Sequence, residues 1–237
     1  MVRVFGWIAP VQVTPVELLV KACLWLAAGM ALSAALCWLV LDLLALPQFT
    51  EHSAIIVLLV ILWFITLFVL TMLFERMQTL HAIGALALLS VIGGLLAASL
   101  FPLQFCLVLY GVTGGMFALG ALVAHLYGER LRNGRFYWLL AASGGALAVV
   151  INLALAGGVA QWCASLFLVV LFSLASARKS PQMLDSARGL YRQQFVTVQH
   201  CATRGALSIW LGAATAFLDI LQTLMFLVSS GLSSASR

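Results

Sequence analysis

Seven long apolar segments constrain this chain more than any other feature of its sequence. Each is nearly free of charge and has the roughly 17 or more residues that a helix needs to cross a bilayer. In lipid, a helix pairs its backbone N–H and C=O groups within one segment, which few other structures can do. The sequence therefore predicts an all-α integral membrane protein, one domain over residues 1–237, with transmembrane helices at residues 16–46, 54–74, 80–101, 104–127, 136–156, 159–177 and 205–228.

The composition excludes a soluble protein. Of the 237 residues, 64% are hydrophobic and 8% are charged, whereas about 25% of the residues in soluble domains are charged. A net charge of +5 would suit nucleic acid, but the positions of the basic residues explain it as membrane topology. We therefore expect membrane lipids, and no nucleic acid, as partners.

Basic residues are confined to alternate connections between the segments. The connections at residues 46–53, 101–104 and 156–161 contain no Lys or Arg. The other connections and the amino-terminal region hold eleven of the twelve basic residues, Arg237 being the exception. Because loops rich in Lys and Arg stay in the cytoplasm, we expect a cytoplasmic amino terminus and an external carboxyl terminus.

The seventh segment carries one charge, Asp219, near its middle. Steps of three or four residues from Asp219 reach Ser208, Gly212, Thr215 and Gln222, so that all five share one helical face. Such a stripe is expected inside a bundle, away from lipid. Either Asp219 is protonated and hydrogen-bonded to a neighbouring helix, or it gates an ion pathway that Ser208, Thr215 and Gln222 help to line.

The fifth segment has a second small and polar stripe, which ends at Asn152. We expect Asn152 either to hydrogen bond with Asp219, as part of the same ion pathway, or to bond backbone carbonyls or help two helices pack. Glycines at helical spacing let helices approach closely. The glycines predicted to pack helices are Gly93, Gly111, Gly115, Gly145 and Gly212.

The one long connection, residues 178–204, has apolar residues at helical spacing. Arg188 and Arg192 flank them. The pattern predicts a basic amphipathic helix on the cytoplasmic membrane surface, where Arg188 and Arg192 contact anionic lipid. A docking surface for a partner protein is the alternative.

No catalytic or metal-binding pattern is present. The five cysteines form no CxxC pair, disulfide framework or metal spacing, and no cofactor motif occurs. The histidines, at positions 52, 81, 125 and 200, lie at or near segment ends, away from any serine that they would activate. We therefore expect neither an enzyme nor a cofactor or metal site.

Parts of the third, fourth and seventh segments resemble a known family. Gly93 and Gly94 precede the turn at Phe101 and Pro102, and residues 111–117 read Gly-Val-Thr-Gly-Gly-Met-Phe. Residues 206–211 read Ala-Leu-Ser-Ile-Trp-Leu. These stretches are similar to those of the Bax inhibitor-1 family, also called the transmembrane Bax-inhibitor-motif family, and most of all to its inner-membrane members from Gram-negative bacteria.

The resemblance implies a bacterial inner-membrane protein whose seventh helix is surrounded by the other six. It also implies a pH-sensitive calcium leak gated by two aspartates. The sequence departs from that pattern, because Gly212 stands at the position of the seventh-segment aspartate, and Arg178 and Lys179 stand near the position of the other. Neither aspartate can be carried over.

Two functions follow from these observations. The first is a pH-sensitive leak for a cation, calcium or protons, or a stress-regulatory role of the same protein. The second is a non-conducting regulator that binds another membrane protein, such as a membrane protease.

Overall fold

The computed structural model describes residues 12–43, 53–127, 135–187, 190–191 and 194–235. Within these ranges seven helices are long and apolar enough to cross a membrane. The predicted all-α, multi-pass class is thereby confirmed. The helices are α1 (Pro15–Trp38), α2 (Ser53–Leu73), α3 (Thr79–Leu100), α4 (Leu103–Tyr127), α5 (Arg135–Ala154), α6 (Val159–Ala187) and α7 (Phe195–Ala235).

Helix α1 begins with a well-formed cap. Pro15 occupies the first turn, where its missing N–H is not needed. The side chain of Thr14 accepts a hydrogen bond of 3.2 Å from the backbone N–H of Glu17. At its other end α1 continues as a π-helical turn, Leu39–Leu43, which contains the exposed Asp42.

The centre of the bundle is α1, which packs against α3, α4, α6 and α7, most extensively against α4. Small residues make these close contacts possible. A Cβ atom added to Gly94 of α3 would lie 2.9 Å from the carbonyl oxygen of Ser33, and one on Gly114 of α4 would lie 3.1 Å from Cβ of Met30. The expected central position of the seventh helix is therefore not observed: α7 packs against α1, α3 and α6 and touches side chains of α2, but has no extensive contact with α4 or α5.

The segment at residues 178–204 differs from the expected surface helix. Its first part continues α6 to Ala187, and its last part is the beginning of α7. Between them, the backbone N–H of Val13 donates to the carbonyl oxygen of Leu190 at 2.9 Å. Of the apolar residues predicted to lie on lipid, Val198 is 1% exposed in the main core, whereas Phe195 is 63% exposed.

The two ends of the bundle differ in charge. We call the end that contains Lys21, Arg76 and Arg204 the basic end; the turns at Phe101–Pro102 and at residues 155–158 lie at the opposite end. Helix α2 lies at the periphery, and its large side chains, among them Leu58 (64%) and Met72 (65%), are exposed on its outer face.

Candidate functional site

Two adjoining cavities lie between α2, α6 and α7 near the basic end. Their volumes are about 180 Å³ and about 130 Å³, and both are lined by Phe74 and Ser208. We call the combined space the α2–α6–α7 groove. The first cavity is also lined by Gln182, Met183, Cys201, Arg204 and Gly205, and the second by Thr71, Lys179, Leu211, Gly212 and Thr215.

Two glycines of α7 give the groove its shape. A Cβ atom on Gly205 would lie 2.8 Å from Sδ of Met183, and one on Gly212 would lie 3.3 Å from Cε of Lys179. Neither distance leaves room for a larger residue without movement of α6 side chains. The absence of side chains at Gly205 and Gly212 therefore lets Met183 and Lys179 lie against α7.

Arg204 is held in place at the end of α2. Its Nη2 atom donates a hydrogen bond of 3.2 Å to the carbonyl oxygen of Phe74. The guanidinium also lies 5.0 Å from the centre of the Phe74 ring, within the range of a cation–π interaction. Phe74 follows the last residue of α2, where carbonyl groups have no intrahelical donor and a cation is favourable.

Lys179 supplies the second cation of the groove. Its half-buried stem follows the surface that Gly212 leaves open, as long basic side chains do when they bury their methylene groups. No hydrogen bond or ion pair joins the Lys179 ammonium to a described residue. Among the described residues that line the groove, none is acidic. The site is therefore suited to an anion.

The predicted polar stripe of α7 divides between the groove and the outer surface. Ser208, Gly212 and Thr215 line the groove, while Asp219 and Gln222 are exposed beyond it. The expectation of a stripe turned into the bundle is wrong, because α7 packs on the core through another face. That face consists of Ala202, Ala206, Ile209 and Ala213.

Asp219 also lies far along α7 from the basic end. Nδ1 of His200 is 3.0 Å from Oγ1 of Thr79, at the beginning of α3. Helices α3 and α7 run in the same direction, since Ala85 and Leu89 pack with Leu207 and Leu211. From residue 200 to residue 219 a helix rises about 28 Å, close to the full ~30 Å of a hydrocarbon core. Asp219 therefore lies towards the end of the bundle opposite the basic end.

Asn152 bonds within the α5–α6 pair and not with Asp219. Its Nδ2 atom donates to the carbonyl oxygen of Ala148 at 2.8 Å and to Oγ of Ser165 at 3.0 Å. The side chain is 1% exposed, and its Oδ1 atom has no partner among the described residues. The second of the two expectations, a bond to a backbone carbonyl, describes Asn152 better than the first.

The glycines predicted to pack helices have different surroundings. A Cβ atom on Gly93, Gly111 or Gly115 would contact a side chain of a neighbouring helix. One on Gly145 would meet nothing within 4 Å, so the expectation is wrong there; its neighbour Gly144 faces Met116 and Val169 at 2.7–2.8 Å. Arg188 and Arg192, predicted to contact lipid or a partner, lie outside the described residues.

A third cavity, between other helices and α7, is mostly apolar. It has a volume of about 300 Å³, and its two hydroxyl groups are occupied, since Tyr110 donates to the carbonyl oxygen of Gly93 and Thr113 to that of Leu109. No cluster of three or more His, Cys, Asp or Glu residues occurs in the described part. The central space therefore offers a cation few oxygen ligands. The cavity is lined by Met30, Trp63, Leu96, Leu109, Tyr110, Thr113, Leu168, Leu171, Phe172, Trp210, Ala213, Ala214 and Phe217.

Sequence reasoning missed Lys179 and Arg204 as a pair. Both were assigned to a surface connection, because hydropathy falls before α6 ends and rises again only after α7 has begun. The small residues at Gly205, Ser208 and Gly212 were the available signal, since their spacing marks the α7 face on which α6 lies.

Comparison with known proteins gives a distant relative. No protein-family model matches the chain, and no solved structure matches it. Over 125 residues the chain is 26% identical to the uncharacterized protein YbhM of Escherichia coli (strain K12). The match covers 53% of this chain and 52% of that protein, so the chain spans about half the length of the curated relative it matches.

Proposed function

We propose that the protein is a non-conducting, multi-pass regulator of the bacterial inner membrane that binds the phosphate headgroup of an anionic lipid in the α2–α6–α7 groove. The observation that carries the proposal is that Arg204 and Lys179 line two adjoining cavities whose described lining is free of acidic residues. Basic pockets between transmembrane helices on the cytoplasmic side are known to bind such headgroups.

The two cations have complementary parts in this proposal. Arg204, fixed on Phe74, offers a planar fork of N–H donors that matches phosphate. Lys179 adds a compact charge at the adjoining cavity. The hydroxyls of Ser208 and Thr215 donate to the carbonyls of Gly205 and Gly212 in their own helix. Headgroup recognition is therefore assigned to the two cations.

The distribution of charge supports a cytoplasmic groove. The sequence pattern predicts eleven of the twelve basic residues on one side of the membrane, and the positive-inside rule favours a cytoplasmic location for the basic end. Anionic lipids give the cytoplasmic leaflet a negative surface potential, which attracts basic groups at that depth. The groove therefore lies where its lipid is available.

Lipid binding by the purified protein tests the proposal. Native mass spectrometry would compare phosphatidylglycerol with phosphatidylcholine for the wild type, Lys179→Gln and Arg204→Gln. Each variant loses about 1–3 kcal/mol of charge-assisted binding, which is roughly a 5- to 150-fold lower affinity for phosphatidylglycerol. Binding of phosphatidylcholine is unchanged.

Arg76→Gln is the matched control, because Arg76 is an exposed cation at the same end of the bundle but does not line the groove. We expect it to keep nearly the wild-type affinity. Equal losses in all three variants would show diffuse attraction to the surface and refute a built site. Lys179→Gln decides the question if Arg204→Gln, which loses the bond to Phe74, proves unstable.

A pH-sensitive cation leak, for calcium or protons, stays a separate prediction, as does membership of the Bax inhibitor-1 family. The test of the leak is calcium and proton flux into liposomes at acidic and alkaline pH, measured for the wild type and for Asp219→Asn. Flux that depends on pH and disappears in that variant would refute the non-conducting proposal. A protein partner of the regulator, such as a membrane protease, is also a prediction, and its test is affinity purification.

A further inference from the structure

Two cysteines that are distant in sequence meet at the end of the bundle opposite the basic end. Cys37 lies in the last turn of α1 and Cys106 in the first turn of α4. Both are 0% exposed, and the two thiols are side-chain neighbours. They form a small cluster with Val40, Ala97 and Ala98, separate from the main core.

Backbone carbonyls of α3 hold both sulfur atoms in this position. Sγ of Cys37 donates to the carbonyl oxygen of Gly94 at 3.1 Å, and Sγ of Cys106 donates to that of Ala97 at 3.4 Å. These two carbonyls lie one helical turn apart on the same helix. Both sulfur atoms therefore lie against adjacent turns at the end of α3.

The pair lies close to the surface of the bundle even though it is buried. Sγ of Cys106 is 3.7 Å from the carbonyl oxygen of Phe101, an exposed residue in the turn between α3 and α4. The π-helical turn Leu39–Leu43 begins two residues after Cys37, and such turns occur often at functional sites. A reagent reaches the thiols if either of these two covering segments moves.

We propose that Cys37 and Cys106 form a reversible disulfide that links the ends of α1 and α4. A thiolate of the pair attacks a donor disulfide, forms a mixed disulfide and releases one donor thiol. The second thiolate then attacks the protein sulfur of the mixed disulfide, and the second donor thiol leaves. The two protein thiols are oxidised, the donor disulfide is reduced to two thiols, and the protons pass to those thiols.

The bond ties together the two helices that share the most extensive contact in the fold. With the basic end in the cytoplasm, which rests on the topology proposed above, the pair faces the compartment in which disulfides persist. The sulfur chemistry itself depends only on the contact between the thiols, so the test below is independent of the topology and of lipid binding.

The test uses the full-length chain with Cys23, Cys163 and Cys201 replaced by Ala, so that only the pair remains. Purified protein is incubated with dithiodipyridine, a small permeant disulfide, then denatured and treated with a maleimide. We expect two thiopyridone molecules released per chain, no retained thiopyridyl group and no maleimide, with both thiols recovered after reduction. Intact-mass spectrometry measures the retained thiopyridyl groups, the added maleimide and the recovered thiols.

The control is a chain with Cys106 and Cys163 alone, which lie on α4 and α6. Each of its thiols that reacts should keep a thiopyridyl group until it is reduced. A pair-only protein that retains thiopyridyl groups, or that takes up a maleimide at both positions, overturns the proposal. If replacement of Cys23 unfolds the protein, since Cys23 is 1% exposed, the wild type and Cys37→Ser are compared by peptide mapping of a cross-link between residues 37 and 106.

Discussion

Replacement of Gly94 by Ala tests the contact that places α1 at the centre of the bundle. A Cβ atom at this position would lie 2.9 Å from the carbonyl oxygen and 3.2 Å from Cα of Ser33. Both are backbone atoms of α1, which α4, α6 and α7 hold from other sides. The clash therefore cannot be relieved by rotation of a side chain, and α1 and α3 must separate.

The cost can be worked out from the contacts that this separation weakens. Overpacking costs about 1–3 kcal/mol. Two hydrogen bonds cross the same contact, from Ser33 Oγ to the carbonyl oxygen of Ser90 at 2.8 Å and from Cys37 Sγ to that of Gly94 at 3.1 Å; weakening them adds up to about 1 kcal/mol. The higher helix propensity of Ala compared with Gly stabilises the folded state by up to about 1 kcal/mol. We expect Gly94→Ala to lower the free energy of unfolding by about 1–3 kcal/mol.

The matched control lies on the same helix. A Cβ atom on Gly84 meets nothing within 4 Å, so Gly84→Ala gains the propensity term of up to about 1 kcal/mol without a clash. Reversible unfolding in mixed detergent micelles, with SDS as denaturant, measures both variants. If Gly94→Ala proves as stable as Gly84→Ala, then α1 and α3 are not in the described contact and the central position of α1 is wrong.

Two further comparisons test the α5–α6 interface and the position of Asp219. Asn152→Ala removes two buried hydrogen bonds and lowers the free energy of unfolding by about 1–2 kcal/mol. In the same SDS titration, replacement of the exposed Asp219 by Asn changes the free energy of unfolding by less than about 0.5 kcal/mol. A larger loss for Asp219→Asn than for Asn152→Ala would place Asp219 inside the bundle. Gly144→Ala, whose Cβ would contact Met116 and Val169, lowers the unfolding midpoint, and Gly145→Ala leaves it unchanged or raised. A midpoint equally low for both glycine variants would contradict the described rotation of α5.

The sequence predicted the number of helices and most of their ends. Pro102 and the paired glycines at 157 and 158 separate apolar segments at the places where helices end, because breakers act locally and need no tertiary contact. Prediction failed between residues 178 and 204. The low hydropathy of these residues was interpreted as a surface connection. Met183 and Val198 are nevertheless buried, so tertiary packing extends α6 and α7 beyond their apolar segments.

The candidate site was predicted in part and with the wrong orientation. The spacing of Ser208, Gly212 and Thr215 correctly placed them on one face of α7, because helical periodicity is local. The direction in which that face points depends on which side of α7 packs best against the core. Ala206 and Ile209 fit against the core, and this leaves Gly212 facing Lys179 and Asp219 facing outward.

By itself, the sequence determined that this is an α-helical membrane protein with seven helices able to span a bilayer, because hydropathy, length and backbone pairing are properties of each segment alone. Only the tertiary structure decided that α1 is central, that Lys179 and Arg204 share a groove, and that Cys37 meets Cys106. Each of these is a contact between residues of different helices. Their formation depends on how helices rotate and pack, which one segment's composition does not specify.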